Sequence, residues 1–455
     1  MQATDTIVAL STPPGRSGIG VIRLSGASSL DLLKILVRDQ HFAPEPNRVT
    51  LKGIYVPDRG ELLDRALITY FKSPHSFTGE DVVELSCHGS PPLLLHVIDA
   101  LLSSGARTAD PGEFTLRALS NGRMNLCQAE AVRDLIDAQT LAAVQQAARQ
   151  LNGELSSRLQ PFKDTLLEII VPLESALEFV EDDLPEDITS HLVQSLETLI
   201  TRLRAVVDTF QSGRLLKEGL KITLTGCPNV GKSSLFNSLL MQERAIVTSI
   251  PGTTRDSLSE LININGIPVL LTDTAGLRSS ADVIEQLGIE RTEQAVVDAD
   301  FVVVVIDGSQ PLTDEDKDVL AKATKRNYLV ALNKSDLKSF NVSNLQDTNN
   351  HAPVISVSAK TRDGLDELIN AIMEPFTAHG IPETDFLITN ARHYDLLKRT
   401  ISSLQSSQEL LKRGSSEEIT LTGLHNALRF LGEITGETTP EDILTQIFST
   451  FCIGK

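Results

Sequence analysis

Lys221–Leu239 reads KITLTGCPNVGKSSLFNSL, and the fold of the chain is decided there. A short β-rich run, Lys221–Thr225, leads into Gly226-Cys227-Pro228-Asn229-Val230-Gly231-Lys232-Ser233. That is the G-x-x-x-x-G-K-S pattern of a phosphate-binding loop. Glycine at 226 and 231 lets the backbone curl, so that successive N–H groups point at phosphate oxygens. Lys232 reaches the terminal phosphates, and the Ser233 hydroxyl can hold Mg²⁺. The helix that starts here adds the positive end of its dipole. A strand before and an amphipathic helix after are the context the motif needs. Taken alone, the stretch could still be a glycine-rich turn that binds nothing.

Three motifs downstream argue against that. Asp273-Thr274-Ala275-Gly276 follows the apolar strand Val269–Thr272. An acid at that strand end can hold Mg²⁺ through water, and Gly276 can sense the terminal phosphate. Asn333-Lys334-Ser335-Asp336 follows the strand Tyr328–Leu332. Asp336 is the base selector, because guanine offers N1–H and its 2-amino group to one carboxylate. Adenine lacks both and would leave a buried carboxylate unpaired. Ser358-Ala359-Lys360 follows Val354–Val357 and closes the base pocket. Four motifs in order, each at a strand end, predict GTP binding. The phosphate loop supplies Asn229, Val230, Gly231, Lys232, Ser233 and Ser234 to that site.

Hydrolysis is less ordinary. Many small GTPases place Gln directly after D-T-A-G to orient the attacking water. Leu277 stands there and cannot do so. Glu285, in the polar segment Leu277–Gln286, could reach in. Arg255 and Arg278 are available as arginine fingers, but a solvated or structural role is the simpler reading for each. Thr248-Ser249-Ile250-Pro251-Gly252-Thr253-Thr254-Arg255-Asp256 reads as the first switch. A Thr there can join Ser233 on Mg²⁺ and order the loop when the terminal phosphate is present. Asn229, with main-chain carbonyls of the switch, could hold a monovalent cation. Its charge would stand in for an arginine finger.

The rest of the chain divides around this block. At 455 residues roughly two to four domains are expected. Residues 1–118 read as a mixed α/β domain with short apolar runs at Thr6–Leu10, Gly20–Leu24, Ala66–Phe71 and Val82–Leu85. Helices are predicted near Ser28–Val37 and Pro92–Ser103. From Met124 to Phe210 the period becomes helical. Asn152-Gly153 interrupts it locally, and Pro172 is expected to kink or begin a helix. Residues 216–376 have the alternation of a parallel sheet, with a hairpin at Asn265-Gly266. Phe301–Ile306 and Tyr328–Leu332 read as strands buried on both faces. Helical periodicity resumes from Leu387 to Leu431. The simplest architecture inserts 216–376 into one helical domain, with halves at 119–215 and 377–455. Two separate helical units are the alternative.

The net charge of −19 is not that of a typical nucleic-acid binder. Acid concentrates in 119–215, so nucleic-acid contact is expected at the N-terminal part or with a basic partner's help. Glu174–Asp187 is a solvated helix end and loop, or a docking patch for such a partner. The four cysteines are far apart, which suggests neither a zinc site nor a disulfide framework. The start lacks a secretory pattern, and the longest apolar run is far short of a membrane span. The chain reads as cytoplasmic.

G-C-P-N-V-G-K-S-S, I-P-G-T-T-R-D and D-T-A-G-L resemble the MnmE (TrmE) family of bacterial and organellar tRNA-modification GTPases. So do the opening D-T-I-V-A-L-S-T-P-P-G-R-S-G-I-G-V-I-R-L-S-G, S-F-T-G-E-D at Ser76–Asp81, P-G-E-F at Pro111–Phe114 and the final F-C-I-G-K. These ends are the more specific evidence, since generic GTPases share only the middle. The resemblance implies an N-terminal dimerisation domain that binds a reduced folate (5-formyl- or methylene-tetrahydrofolate). It implies a split helical domain with the G domain inserted, and a homodimer. It implies potassium-stimulated GTP hydrolysis through G-domain dimerisation. It also implies the FAD-dependent partner MnmG (GidA) in a heterotetramer or larger complex. Together the two would add an aminomethyl or carboxymethylaminomethyl group to carbon 5 of the wobble uridine of certain tRNAs.

By the same resemblance Asn229, Thr248, Ile250 and Thr253 would hold K⁺. Ser233 and Thr254 would hold Mg²⁺, and Glu285 would orient the water. Arg23, Glu80 and Lys455 would contact the folate. Arg123 stands where the family has Lys; charge is kept, but Arg is planar and bulkier. Cys452 fits a prenylation signal poorly and is expected to be a buried structural thiol rather than a reactive one. The rival readings are a ribosome-assembly GTPase, for which no RNA-binding appendage is visible, and a GTP-gated scaffold that senses folate.

Overall fold

The structure, a computed structural model, describes residues 5–56, 60–178, 186–242, 258–274, 294–345, 352–377, 387–414, 417–437 and 441–454. The chain forms two compact units. One comprises Met1–Arg133, Gln150–Lys163 and His425–Lys455; the other comprises Asp134–Arg149 and Asp164–Leu424.

The first unit is built on β1 (Ile7–Leu10), β2 (Ile19–Ser25), α1 (Ser29–Val37), β3 (Val49–Tyr55), β4 (Leu62–Phe71), β5 (Val82–His88), α2 (Pro91–Ser103), β6 (Arg107–Thr108) and α3 (Glu113–Ser120), followed by α4 (Leu126–Asp137). The sheet order is β3-β4-β5-β2-β1-β6. Every pairing is antiparallel except β1 with β6. Alternation along the strands gives the sheet two different faces. Val8, Ile22 and Leu24 bury with Leu33, Val97 and Leu101 of α1 and α2. Ile7 and Ala9 face the other way, onto Phe114 of α3. Arg23 and Ser25 alternate with Ile22 and Leu24, so they look toward α3. The apolar runs point to β1, β2, β4 and β5 but not to β3. That edge strand leaves Val49 62% and Leu51 59% exposed, so no buried pattern marks it.

Next come α5 (Leu141–Leu151) and α6 (Glu154–Glu178), whose residues 150–163 count with the first unit and the rest with the second; α7 (Glu186–Asp208) and α8 (Phe210–Glu218) then lead to β7 (Leu220–Thr225) within the second unit. Pro172 does not begin a helix, which corrects one expectation: α6 runs through it. A proline inside a helix loses one N–H bond and costs about 3 kcal/mol. Burial of Ile169, Ile170 and Leu173 around it is large enough to hold the helix.

The sheet that follows uses α9 (Lys232–Gln242), β8 (Leu258–Ile264), β9 (Ile267–Asp273), β10 (Phe301–Asp307), α10 (Asp314–Ala323), β11 (Tyr328–Asn333), β12 (Val354–Ser356) and α11 (Leu365–Thr377). Its order is β12-β11-β10-β7-β9-β8, parallel throughout except for β8 on β9. β10 explains its own sequence. Phe301, Val303 and Val305 bury in a cluster with Leu235 of α9 and Leu368 of α11. Val302, Val304 and Ile306 bury on the opposite face with Leu320 of α10. Both faces are covered, so every position is apolar. The β8–β9 turn has Asn265 at φ 52° and Gly266 at φ 88°, as a two-residue hairpin requires.

The chain then forms α12 (Ala391–Lys412), α13 (Glu417–Thr435) and α14 (Glu441–Ser449). Helix α12 packs along α7, where Gln408 Nε2 donates to the Val193 carbonyl at 3.1 Å. The end of the chain belongs to the first unit. Phe448 and Phe451 bury there against Leu126 and Ala129 of α4. Cys452 is exposed, not buried as expected. Its neighbour Phe451 takes the inward position, and its own carbonyl accepts from Gly112 N at 3.4 Å.

Candidate functional site

Between β7 and α9 the backbone makes turns that constrain its residues. Gly226 has φ 152°, and a Cβ there would lie 2.3 Å from the Val305 carbonyl oxygen. Gly231 has φ 100°, and its Cβ would lie 2.3 Å from Asn333 Nδ2. Both positions therefore exclude a side chain. Asn229 is left-handed at φ 64° and exposed. Lys232 is buried, and its Nζ donates to the carbonyls of Gly226 at 2.9 Å and Cys227 at 2.7 Å. The ammonium is thus held over the loop that would take phosphates. Ser233 Oγ donates to Asp273 Oδ2 at 2.7 Å, and Asp273 is fully buried at the end of β9. Thr274 beside it donates to the Leu224 carbonyl at 2.9 Å. Burial first, then a hydrogen bond to Asp316, pushes the Cys227 thiol up to about 12, so it stays protonated.

A second layer holds the residues expected to read the base. Asn333 ends β11, and its side chain spans two loops: Nδ2 donates to the Val230 carbonyl at 2.9 Å, and Oδ1 accepts from Ala359 N at 3.0 Å. Ser335 N donates to the Val357 carbonyl at 3.1 Å. Ser358, fully buried, donates from Oγ to Asp336 Oδ1 at 2.8 Å. Asp336 and Lys360 are exposed at the surface of this end of the sheet. Lys334 is left-handed at φ 70°, and its Nζ lies 2.5 Å from Asp307 Oδ2. Burial works against the Asp307 carboxylate. Hydrogen bonds from Lys334 and from the hydroxyl and amide of Ser309 outweigh it and hold the group below the ordinary carboxylate range.

The sequence motifs do not name Asp307; only its place at the end of the central strand hints at it. Ala275, Gly276, Glu285, Leu277, Arg255, Arg278 and Thr248 to Thr254 lie outside the described residues. Thus the structure brings together Asn229–Ser234, Asp273, Thr274, Asn333–Asp336 and Ser358–Lys360.

These groups fit the ligands they imply. A side chain at Gly226 or Gly231 would collide with Val305 or Asn333, so the loop there is bare backbone, which is what a phosphate cradle of amides needs. Ser233 with Asp273 is a hard oxygen set of the kind Mg²⁺ takes. Of the residues assigned to K⁺, only Asn229 is described.

The first unit carries a separate cluster. Arg23 on β2 pairs with Glu84 on β5 (2.8 Å), lies 5.7 Å from the ring centres of both Phe77 and Phe114, and reaches the Gly454 carbonyl at 3.5 Å. Glu80 accepts from Ser25 Oγ at 2.7 Å and from Arg117 at 3.2 Å. Arg123 is exposed, with its Cγ 3.3 Å from where a Gly79 Cβ would stand. Ser25, two residues along β2, links the Arg23 strand to Glu80. Lys455 lies outside the described residues, but Gly454 before it accepts from Ser11 Oγ at 3.1 Å. Arg117 is the residue sequence reasoning misses here; it is 5% exposed and pairs with Asp5, Glu80 and Glu113 at once.

An Asn-Lys-x-Asp loop paired with Ser-Ala-Lys behind a phosphate loop places the second unit's parallel sheet among P-loop domains of the GTPase class. Comparison with known proteins narrows the class. Residues 6–123 match the model of the GTP-binding protein TrmE N-terminus, and residues 126–452 match that of the MnmE helical domain. The tRNA modification GTPase MnmE of Koribacter versatilis is 43% identical over 458 residues, covering 100% of both chains. That of Aquifex aeolicus is 42% identical over 452 residues, covering 99% of this chain and 100% of the relative. Among solved structures, the G domain of the T. maritima FeoB iron transporter is 28% identical over 34% of this chain and 97% of that chain, at a TM-score of 0.26. The chain belongs to the MnmE family of tRNA modification GTPases.

Proposed function

We propose that this chain is a potassium-stimulated GTPase. With the FAD-dependent protein MnmG, it would install an aminomethyl or carboxymethylaminomethyl group on carbon 5 of the wobble uridine of certain tRNAs. The observation that carries the reading is the convergence of Lys232, Ser233 and Asp273 beside the Asn333–Asp336 loop, in a chain alike to MnmE proteins from end to end. Lys232 would neutralise the terminal phosphates. Ser233 and Thr254 would hold Mg²⁺, whose charge offsets that of the phosphates. Asp336 would take the guanine edge. Asn229, Thr248, Ile250 and Thr253 would hold K⁺, and Glu285 would orient water in place of the glutamine missing at Leu277. Arg23, Glu80, Arg123 and Lys455 would contact a reduced folate in the domain 1–118, which would also form the homodimer. The helical halves 119–215 and 377–455 would flank the inserted G domain 216–376.

Nucleoside mass spectrometry of bulk tRNA tests this. A host lacking its own copy of the gene, with MnmG present, receives either this chain or its Asp273→Ala variant. Restoration of the 5-substituted wobble uridine by the parent and not by the variant is expected. A host unchanged by the parent chain removes the tRNA reading.

A further inference from the structure

We propose that Asp307 is a positioning residue for the guanine base: through Lys334 it holds the Asn333–Asp336 loop in its base-reading shape. The inference rests on the GTP-binding reading above. Asp307 is the last residue of the central strand β10 and pairs in register with Asn333, the last residue of β11. From there the loop turns through Lys334, whose backbone sits at φ 70°. Lysine gains nothing from that conformation, and non-glycine residues hold it only where surrounding contacts impose it.

The contacts are visible on both sides. Gly308 N donates to the Asn333 carbonyl at 2.9 Å, fixing the start of the turn. Asp307 Oδ2 lies 2.5 Å from Lys334 Nζ, fixing its side chain. The other oxygen, Oδ1, accepts from Ser309 N at 3.0 Å and Ser309 Oγ at 2.6 Å. The carboxylate is therefore oriented before the lysine arrives, and a charge-assisted bond to a fixed acceptor is both short and directional. The Asp307 side chain is 14% and the Lys334 side chain 31% exposed, so solvent screens the pair only in part.

The consequence falls on Asp336, two residues beyond Lys334. Its bidentate reading of guanine requires both carboxylate oxygens at a set angle, and Ser358 already fixes one of them. If Lys334 swings free, the loop shifts and one of the two guanine bonds is lost. Guanine then has little advantage over hypoxanthine, which keeps N1–H but lacks the 2-amino group.

The test is equilibrium binding of GDP and IDP to the full chain by isothermal calorimetry. Asp307→Asn keeps the shape and removes the charge. It should bind GDP about tenfold more weakly, and its GDP-to-IDP affinity ratio should fall toward one. Asp307→Glu, which keeps the charge, should recover part of that ratio. Lys334→Met should match Asp307→Asn, with the double variant no worse than either. A melting temperature lowered with the ratio unchanged would mean a structural role only and would overturn the proposal. So would parental GDP affinity in Asp307→Asn. A parent chain that binds neither nucleotide would instead remove the GTP reading.

Discussion

Arg117 sits 5% exposed on α3 with Asp5 at 2.8 Å, Glu113 at 2.9 Å and Glu80 at 3.2 Å around one guanidinium. Arg107 closes the ring, 2.6 Å from both Asp5 and Glu113. Removing the buried cation leaves carboxylates facing one another, a change that typically costs 3–5 kcal/mol. Arg117→Ala should destabilise the full chain by about 3 kcal/mol in its thermal unfolding. The pH dependence has a definite sign. Burial raises the Glu113 carboxyl, but bonds from Arg107, Asp110 N and Arg117 hold it below its ordinary range. The hydrogen bond from Arg107 does the same for Asp5, against burial and with help from Arg117. A lowered folded pKa gives stability that is complete above the unfolded value and lost as pH falls through the folded one. The parent should therefore lose melting temperature steadily below about pH 4, and Arg117→Ala should lose less over the same range. Equal slopes would remove the network from the acid response. At this scale the nucleotide motifs were legible because each role needs a few side chains at fixed spacing. Arg117 and Asp307 were not, because their partners Glu80 and Lys334 lie far along the chain.

Helix α8 carries the second unit's chain into β7, and its packing is set by one missing side chain. A Cβ on Gly213 would lie 2.2 Å from the Ile388 carbonyl oxygen. The same short stretch is gripped elsewhere. Ile388 N donates to Thr209 Oγ1 at 3.1 Å, and the Leu387 carbonyl accepts from Gln146 Nε2 at 2.8 Å. Phe210 stacks on Tyr394 with centroids 4.2 Å apart. In an exposed helix Gly→Ala gains up to about 1 kcal/mol. Here the obstacle is backbone held by two hydrogen bonds of its own, so it cannot give cheaply, and overpacking costs about 1–3 kcal/mol. Gly213→Ala should melt lower than the parent by circular dichroism; a variant that melts at or above it would show that α8 has room. Periodicity marked the helices and β10 well, since both record burial directly. It missed α8 as a separate element and the edge strand β3. An Asn265-Gly266 pair sufficed for the hairpin because few other residues tolerate two left-handed positions in a row.

Over the whole molecule, the order of segments and the packing of segments differ. Residues 425–455 close the first unit, more than three hundred residues after its sheet is complete. Phe448 and Phe451 cover Leu126 and Ala129, and Gly112, at φ 68°, lies against them with no space for a Cβ: one would stand 2.9 Å from the Phe448 carbonyl oxygen. Arg133 lies 5.7 Å from the Phe451 ring. No local periodicity could announce this, because two phenylalanines in a short tail look like surface until their partners are known. The family resemblance flagged F-C-I-G-K without giving its reason, and the structure supplies one: the tail is core. Deleting residues 446–455 should then act in two ways. It strips two phenylalanines, each worth about 3–5 kcal/mol when a core loses it, and it removes the Gly454 carbonyl from Ser11 and Arg23. The deleted chain should show a lower-melting transition and lose the reduced-folate binding proposed for the first unit. GDP binding should persist, since every described nucleotide residue belongs to the second unit. The double variant Phe448→Ala/Phe451→Ala, with the tail's end intact, separates the two effects: it should melt as low as the deletion. If it melts like the parent, the tail is not core. If it melts low yet binds folate as the parent does, the packing and the proposed ligand contact are independent, and the tail's part in that contact does not run through Phe448 or Phe451.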